Sequence, residues 1–376
     1  MRFALAGEHA DGLNMARALV ASGRHEWVSY DGLPTAKTFV QKHQLGPRPV
    51  PDLEEMLADP AVELVIVAGA AMDRAAQLRR CLQAERHVLC VHPPDDSPDS
   101  AYEAAMIQGD THCLLLPLLP DSLHPAMREL TEFGSQGTLG SLRLIELAQS
   151  GGGSVLLEGQ TAGHKPSVPG WDLLRLLGGE IAEVSGFSEK EEVDPDAPLL
   201  LAGRFEKGGV FQASFLPRSS GEERTIRVLG TAGQAEVKQS EGGAVRLRMS
   251  SVSEKCWDAW DPWPAMVEVF ETALAGGNSE ASKLISWPSE IRNLELDDAA
   301  RRSVHRRRAG TLEYPEATEE VGFKGTMTLV GCSLLWVILL LVIVSRWVPW
   351  VGWLIAPILA VFLGLQVLRW IVPRKE

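Results

Sequence analysis

His92 stands in the stretch CVHPPDD, Cys90 to Asp96, directly after the apolar run that opens at RHVL. An imidazole titrates near pH ~6.5, against ~10.4 for a lysine, so a histidine at the mouth of a strand suits general acid–base work at neutral pH. A histidine merely packed or solvated at a strand end has the same sequence signature. A second constellation lies at the N-terminus, where ALAGEHADG puts Gly7 and Gly12 at the first and third places of a GxGxxG turn and His9 at the second. In such a turn the first glycine makes the bend, the second lets backbone approach a pyrophosphate, and the third packs helix against strand. An imidazole in the middle crowds the phosphates unless it swings out or bonds to them. Asp31, in VSYDG, falls where a carboxylate accepts hydrogen bonds from a ribose diol, which favours NAD over NADP; a plain turn aspartate is the other reading. Cys81, Cys90, Cys113, Cys256 and Cys332 show neither CxxC nor Cys/His spacing, so neither a disulfide framework nor a metal site is indicated.

Such residues must be carried by a regular frame. Over residues 1–122, short apolar runs (RFALAG, WVSYD, LVIVAG, HVLCV, CLLLPLL) alternate with helical patterns at 13–22, 35–43, 53–58, 71–84 and 99–108. That alternation predicts an α/β fold, a Rossmann-type dinucleotide-binding domain with a parallel sheet. Small residues from Ala68 to Ala71 close the run LVIVAG and permit either a ligand's close approach or tight packing. After Pro120 the rhythm changes to a helix at about 124–133, then strand-like runs from LRLIELAQ to AVRLRMSS, with helices at GWDLLRLLGG and PAMVEVFETALAGG. Turns such as EKGG and SEGG make this a second α+β domain, residues 123–318, with an open, largely antiparallel sheet.

Several stretches, taken in order, resemble the Gfo/Idh/MocA family of NAD(P)-dependent oxidoreductases: ALAGEHADG, DLEEMLADPAVELVIVAGAA, HVLCVHPP, HPAMREL with GTLGSLR, WDLLRLLGG, and AMVEVFETALAGGN leading to LELDDAARRSVHRRRAG. The resemblance covers roughly residues 1–316. It implies an NAD cofactor contacted by Gly7, His9, Gly12, Asp31, Ala68 and Pro93, a hydroxyl-bearing small-molecule substrate such as a sugar or cyclitol, and a homo-oligomer paired through the open sheet face. The family carries Glu-Lys-Pro after this strand. Aligning its proline with Pro93 puts His92 at the lysine that exchanges a proton with the substrate hydroxyl, and Val91 at the glutamate. Where the family has an acidic residue and then His-x-x-Asp, this chain has Glu158 and Asp172, with Pro169 at the histidine place; His164 is then a displaced counterpart or a loop histidine. Asp172 also reads as a helix N-terminal carboxylate, stabilising without catalysis.

Among 376 residues with a formal net charge of −13 there is no basic face for nucleic acid. One basic cluster, RRSVHRRR at 301–308, reads as a solvated helix face or as a segment near anionic lipid. Residues 325–345 and 347–368 carry no charge, and each is long enough to cross ~30 Å of hydrocarbon. They predict a transmembrane hairpin within 325–372 whose flanking Lys324, Arg374 and Lys375 put both ends, and the preceding domains, in the cytoplasm. Two functions stay open. One is a membrane-anchored oxidoreductase in which His92 handles the proton while Asp172, Glu158 or His164 orients substrate. The other is a catalytically inactive relative, a tethered ligand sensor or scaffold that needs no cofactor.

Overall fold

A computed structural model describes residues 1–150, 167–194, 196–217, 223–240, 242–249, 252–277, 283–307, 310–311 and 341. The first sheet is built from β1 (Arg2–Gly7), β2 (Glu26–Tyr30), β3 (Arg48–Pro49), β4 (Leu64–Ala68), β5 (His87–Val91) and β6 (Leu115–Leu118). Its strand order is β3-β2-β1-β4-β5-β6 and every pairing is parallel. The crossovers are α1 (Ala10–Ala21), α2 (Pro34–Lys42), α3 (Leu53–Ala58), α4 (Ala71–Gln83) and α5 (Pro98–Gly109). This is the expected Rossmann arrangement, in which the strand order reverses between β1 and β4 and opens a crevice at their carboxyl ends. Strands buried on both faces read as unbroken apolar runs, as all five residues of β4 do.

A 3-10 turn (Pro120–Leu123) and α6 (Pro125–Ser135) lead into a second sheet of β7 (Leu142–Ser150), β8 (Ile181–Ser188), β9 (Leu199–Phe205), β10 (Val210–Leu216), β11 (Glu223–Gly230), β12 (Gln234–Gln239), β13 (Val245–Met249), β14 (Val252–Trp257) and β15 (Gly310–Thr311). Its order is β14-β13-β12-β11-β7-β10-β9-β8-β15, antiparallel except for the β7–β10 pair. Burial alternates along β9 and β10, so one face packs on helices and the other stays open. Strand β14 was not expected; the polar run SEK within VSEKCW hides the strand pattern in the sequence.

Among the described residues, α7 (Trp171–Gly178), α8 (Trp263–Leu274) and α9 (Trp287–Arg306) complete this part. Two of them return to the first sheet. Trp263, Met266, Val267 and Phe270 of α8 join the core around Phe3, Leu5 and Leu13. Trp287, Ile291 and Leu294 of α9 join the core of Val65, Leu78 and Ala101, while Leu296, Ala299, Ala300 and Val304 of the same helix sink into the core of the second sheet. Each Leu, Ile and Val side chain among them is worth about 1.5–3 kcal/mol on burial, so one continuous helix is anchored in both cores.

The basic cluster differs in part from expectation. Arg301 is not solvated: it pairs with Asp297 at 2.6 Å and donates to the Asp96 carbonyl at 2.6 Å, because its position faces inward on α9, whereas Arg302 is half exposed. Among the described residues no helix is long and apolar enough to cross a membrane. Apart from residue 341, the two uncharged segments, 325–345 and 347–368, lie outside the described residues.

Candidate active site

The β1–α1 turn follows from what a side chain would meet there. Gly7 has φ +114°, and a Cβ on it would lie 2.0 Å from the Ala68 carbonyl carbon; a Cβ on Gly12 would lie 2.3 Å from the Ala68 Cβ. Both glycines are therefore required for close packing on the end of β4, and Ala68 is the surface they pack on. Ala68 also accepts the His9 N–H at 3.0 Å. His9 is the N-cap of α1, its Nδ1 accepting the Asp11 N–H at 3.2 Å. A cap of this kind uses a donor that a phosphate would otherwise receive at a helix N-terminus.

Asp31 closes β2 and accepts the Gly7 N–H through Oδ2 at 2.5 Å. Burial raises its carboxyl above the ordinary range, with Glu8 adding to the effect and the N–H groups of Gly7 and Leu33 opposing it. Its other oxygen, Oδ1, is buried and has no hydrogen-bond partner among the described residues. Hydroxyls of a ribose would supply what that oxygen lacks. The acceptor oxygen thus suits a dinucleotide at the ribose end, whereas at the pyrophosphate end His9 must turn aside.

His92 follows β5 and its Nδ1 lies 2.6 Å from Oε1 of Glu290, a fully buried carboxylate in the first turn of α9. Burial alone would lower the histidine's pKa, but the Glu290 charge and hydrogen bond, with Asp172 and Asp297 behind them, override it and raise the value to about 9. At neutral pH the ring is therefore an imidazolium with Nδ1–H on Glu290. The loop carrying it is fixed by Arg74 of α4, buried, which donates to the carbonyls of Gly69 at 2.8 Å and Pro93 at 2.9 Å. Cys90 beside it is no nucleophile, since burial pushes its thiol up to about 12.

Opposite stands Asp172, in the first turn of α7, where burial and then the neighbouring Asp121 raise the carboxyl to about 6 against the pull of His92 and Arg224. The segment before it is pinned by Asp297, whose Oδ1 accepts the Val168 N–H at 2.8 Å and the Trp171 Nε1–H at 3.4 Å. Arg175 of α7 donates to the Ser289 carbonyl at 2.9 Å and Asn293 Oδ1 at 2.9 Å, tying α7 to α9. His92, Pro93, Asp172, Asn293, Arg224 and Asp11 all line one cavity of about 340 Å³. Ser167 also lines it, and its buried hydroxyl has no partner among the described residues.

Of the residues singled out in the sequence, the cavity gathers His92, Asp172 and Pro93, while Gly7, His9, Gly12, Asp31 and Ala68 form the adjoining β1–α1 crevice. Glu158 and His164 lie outside the described residues. Sequence reasoning missed Glu290, Asn293 and Asp297. They recur at helical spacing on α9 and are all buried, a polar stripe inside a core. It also missed Arg74 and the Asp121–Arg224 pair. Among the described residues no cluster of His, Cys, Asp and Glu could hold a metal ion.

Residues 10–117 match the model of the oxidoreductase family with an NAD-binding Rossmann fold. The chain is 26% identical to trans-1,2-dihydrobenzene-1,2-diol dehydrogenase of Macaca fuscata fuscata over 229 residues, 56% of this chain and 65% of that protein. Identity to the Homo sapiens protein of the same name is 27% over 228 residues, again 56% and 65%. The match therefore spans 65% of the length of these relatives. Two solved structures share the fold: the WlbA dehydrogenase from Bordetella pertussis in complex with NADH and UDP-GlcNAcA (TM-score 0.68, 18% identity, 84% of this chain and 99% of that one) and a myo-inositol dehydrogenase from Corynebacterium glutamicum (TM-score 0.65, 15%, 84% and 99%).

Proposed function

We propose, from the premise that this chain is a divergent member of the Gfo/Idh/MocA oxidoreductase family, that it is a nicotinamide-dependent carbonyl reductase and alcohol dehydrogenase acting on a hydroxyl-bearing small molecule such as a sugar or cyclitol. The observation that carries the reading is the His92–Glu290 pair, 2.6 Å apart at the wall of the cavity, opposite Asp172. A bound nicotinamide supplies or accepts the hydride at the carbinol carbon, so that carbonyl plus hydride plus proton balances alcohol. His92 provides the proton: its raised pKa keeps Nε2–H available to a carbonyl oxygen at neutral pH, and above about pH 9 the neutral ring takes the proton back. Glu290 holds Nδ1–H and so fixes which nitrogen faces the substrate. Asp172, with a pKa of about 6, accepts a substrate hydroxyl as carboxylate. Asp31 would hold the ribose of NAD; solved structures of this fold include complexes with NADH and with NAD, and also one described as an NADPH-dependent oxidoreductase.

Uncharged segments 325–345 and 347–368 support a further part of the reading, a hairpin anchor that tethers the enzyme to the cytoplasmic face of a membrane. Fractionation with and without residues 325–372 tests it: the full chain should pellet with membranes and the truncated one should not.

The second reading, a ligand sensor without turnover, is favoured by the His9 cap and the acidic Glu8 and Asp11 beside it, where a phosphate binder would carry no negative charge. Titrating the full-length protein with NADH and following nicotinamide fluorescence separates the two. The enzyme reading expects saturable binding and, on a substrate found by screening, loss of at least a hundredfold in turnover for His92→Ala. No binding at millimolar NADH leaves only the sensor.

A further inference from the structure

Beyond the Asp121–Arg224 pair lies a second cavity, of about 240 Å³, whose walls include Met127 of α6, Leu173 of α7, Ile226, Val237 and Val245 from β11, β12 and β13, and Trp260. Pro120, Asp121 and Arg224 line both cavities, so the ion pair is the partition between them. One buried polar atom at the wall of the second cavity has no hydrogen-bond partner among the described residues. His124, N-cap of α6, accepts the Ala126 N–H on Nδ1 at 3.1 Å. Nδ1 is thereby bare, and in a neutral ring the proton sits on Nε2. Burial lowers the pKa of His124, outweighing the opposite effect of Asp121, so the ring is neutral at pH 7. Its Nε2 is buried and meets no acceptor among the described residues. Trp257 and Trp260 hold the ring edge-on, with centroids 6.1 and 5.1 Å away. An unmet buried donor costs about 1–3 kcal/mol, which a ligand oxygen would recover.

We propose that this cavity holds an uncharged apolar substituent of the substrate, a single ring or short branched chain bearing one acceptor oxygen for His124 Nε2–H, while the reacting carbonyl or alcohol lies beside His92 in the first cavity. The assignment rests on the oxidoreductase reading above and narrows its substrate class. Size supports it: a dry cavity of about 150 Å³ accommodates benzene, and the present one has room for a ring with a few added atoms. Charge supports it too. Arg224 is already neutralised by Asp121 and also donates to Gln149, so among the described residues no free cation waits in the cavity for a phosphate or carboxylate.

The test uses acetophenone, ethylbenzene, which keeps its carbon skeleton without the oxygen, and benzoate as probes of the full-length protein in detergent, followed by tryptophan fluorescence. Wild type should bind acetophenone about tenfold more tightly than ethylbenzene and benzoate more weakly than either. His124→Asn keeps a capping oxygen for the Ala126 N–H but withdraws the Nε2 donor, and should erase the preference for acetophenone. Val237→Phe fills the cavity and should weaken both neutral probes at least tenfold. Equal affinities in wild type, or a preference that survives His124→Asn, overturns the assignment. NADH is titrated in the same samples: NADH binding with equal probe affinities overturns the cavity alone, whereas absence of NADH binding in wild type overturns the redox reading on which the substrate assignment rests.

Discussion

A histidine with a buried carboxylate on one nitrogen behaves differently from one in water, and the difference is measurable at His92. The Glu290 charge and hydrogen bond outweigh the cost of burying the ring, giving a pKa of about 9. Under the proposed function, carbonyl reduction would need the protonated ring and an ionised Asp172, so its rate should plateau between about pH 6 and about pH 9 and fall on either side. Glu290→Gln keeps an acceptor but removes the charge, which should bring the upper limb down by about two pH units. An upper limb that stays put would show that another group supplies the proton. The same linkage bears on stability. A folded-state pKa above the unfolded value gives a stabilisation that is complete below pH ~6.5 and disappears as pH climbs through about 9, so the melting temperature should drop across that window in wild type and much less in Glu290→Gln. At His9 the expected change is opposite in sense. The imidazole uses the Asp11 N–H, a hydrogen bond worth about 1 kcal/mol, so His9→Gly should tighten NADH binding about fivefold, while a glycine cap costs the helix only a few tenths of a kcal/mol. Equal NADH affinity in the two proteins would mean that the ring does not compete with the pyrophosphate.

The element that decides the site is α9, and its sequence explains why half the site was legible and half was not. Gly7, Gly12, Asp31 and the strand ends were readable because a βα turn has local rules: spacing in one short segment reports on backbone approach. His92 was readable only as a competent group, since the residue that sets its pKa is 198 positions away. Glu290, Asn293 and Asp297 look like any solvated face in WPSEIRNLELDD, because polar residues at three- and four-residue spacing mark an outward stripe unless another core covers them. Here both sheets cover them, and the polar stripe becomes the lining between two packed ends of one helix. Asp297 tests that positioning role. Asp297→Asn preserves an acceptor for Val168 and Trp171 but strips the carboxylate from the largely buried Arg301, at a cost of about 3 kcal/mol in unfolding free energy. Asp297→Ala also releases the segment before Asp172, so turnover should fall about tenfold beyond the Asn variant with NADH affinity unchanged. Equal turnover in the two variants, measured below their melting temperatures, would deny Asp297 any part in placing Asp172.

At the scale of the whole molecule, no described residue covers one face of the second sheet, and the chemistry of that face is uneven. Over most of that face charges answer each other, as Arg227 does with Glu146 and Glu236 and Arg204 with Glu183. At the ends of β8, β9 and β10 they give way to Phe187, 64% exposed, and Leu200 and Leu216, both 45% exposed. Phe187 and Leu200 are direct cross-strand neighbours, and Leu216 lies on the next strand two residues beyond Ser214, the partner of Leu200, so the three cluster at one end of the face. A flat apolar patch rimmed by paired charges is the geometry two copies of one chain can share about a two-fold axis, each Phe187 seated against the other's leucines. Self-association through this face follows as an expectation, and Phe187→Glu is the variant that reads it. A buried carboxylate without a partner costs several kcal/mol, enough to dissociate a pair of ordinary affinity. Light scattering on detergent-solubilised full-length protein should give twice the chain mass for wild type and a single chain mass for the variant, with NADH affinity unaltered because the cofactor crevice lies on the other sheet. A wild-type protein that is already monomeric at tens of micromolar, or a variant that keeps the doubled mass, would remove this face from the account of how the molecule assembles.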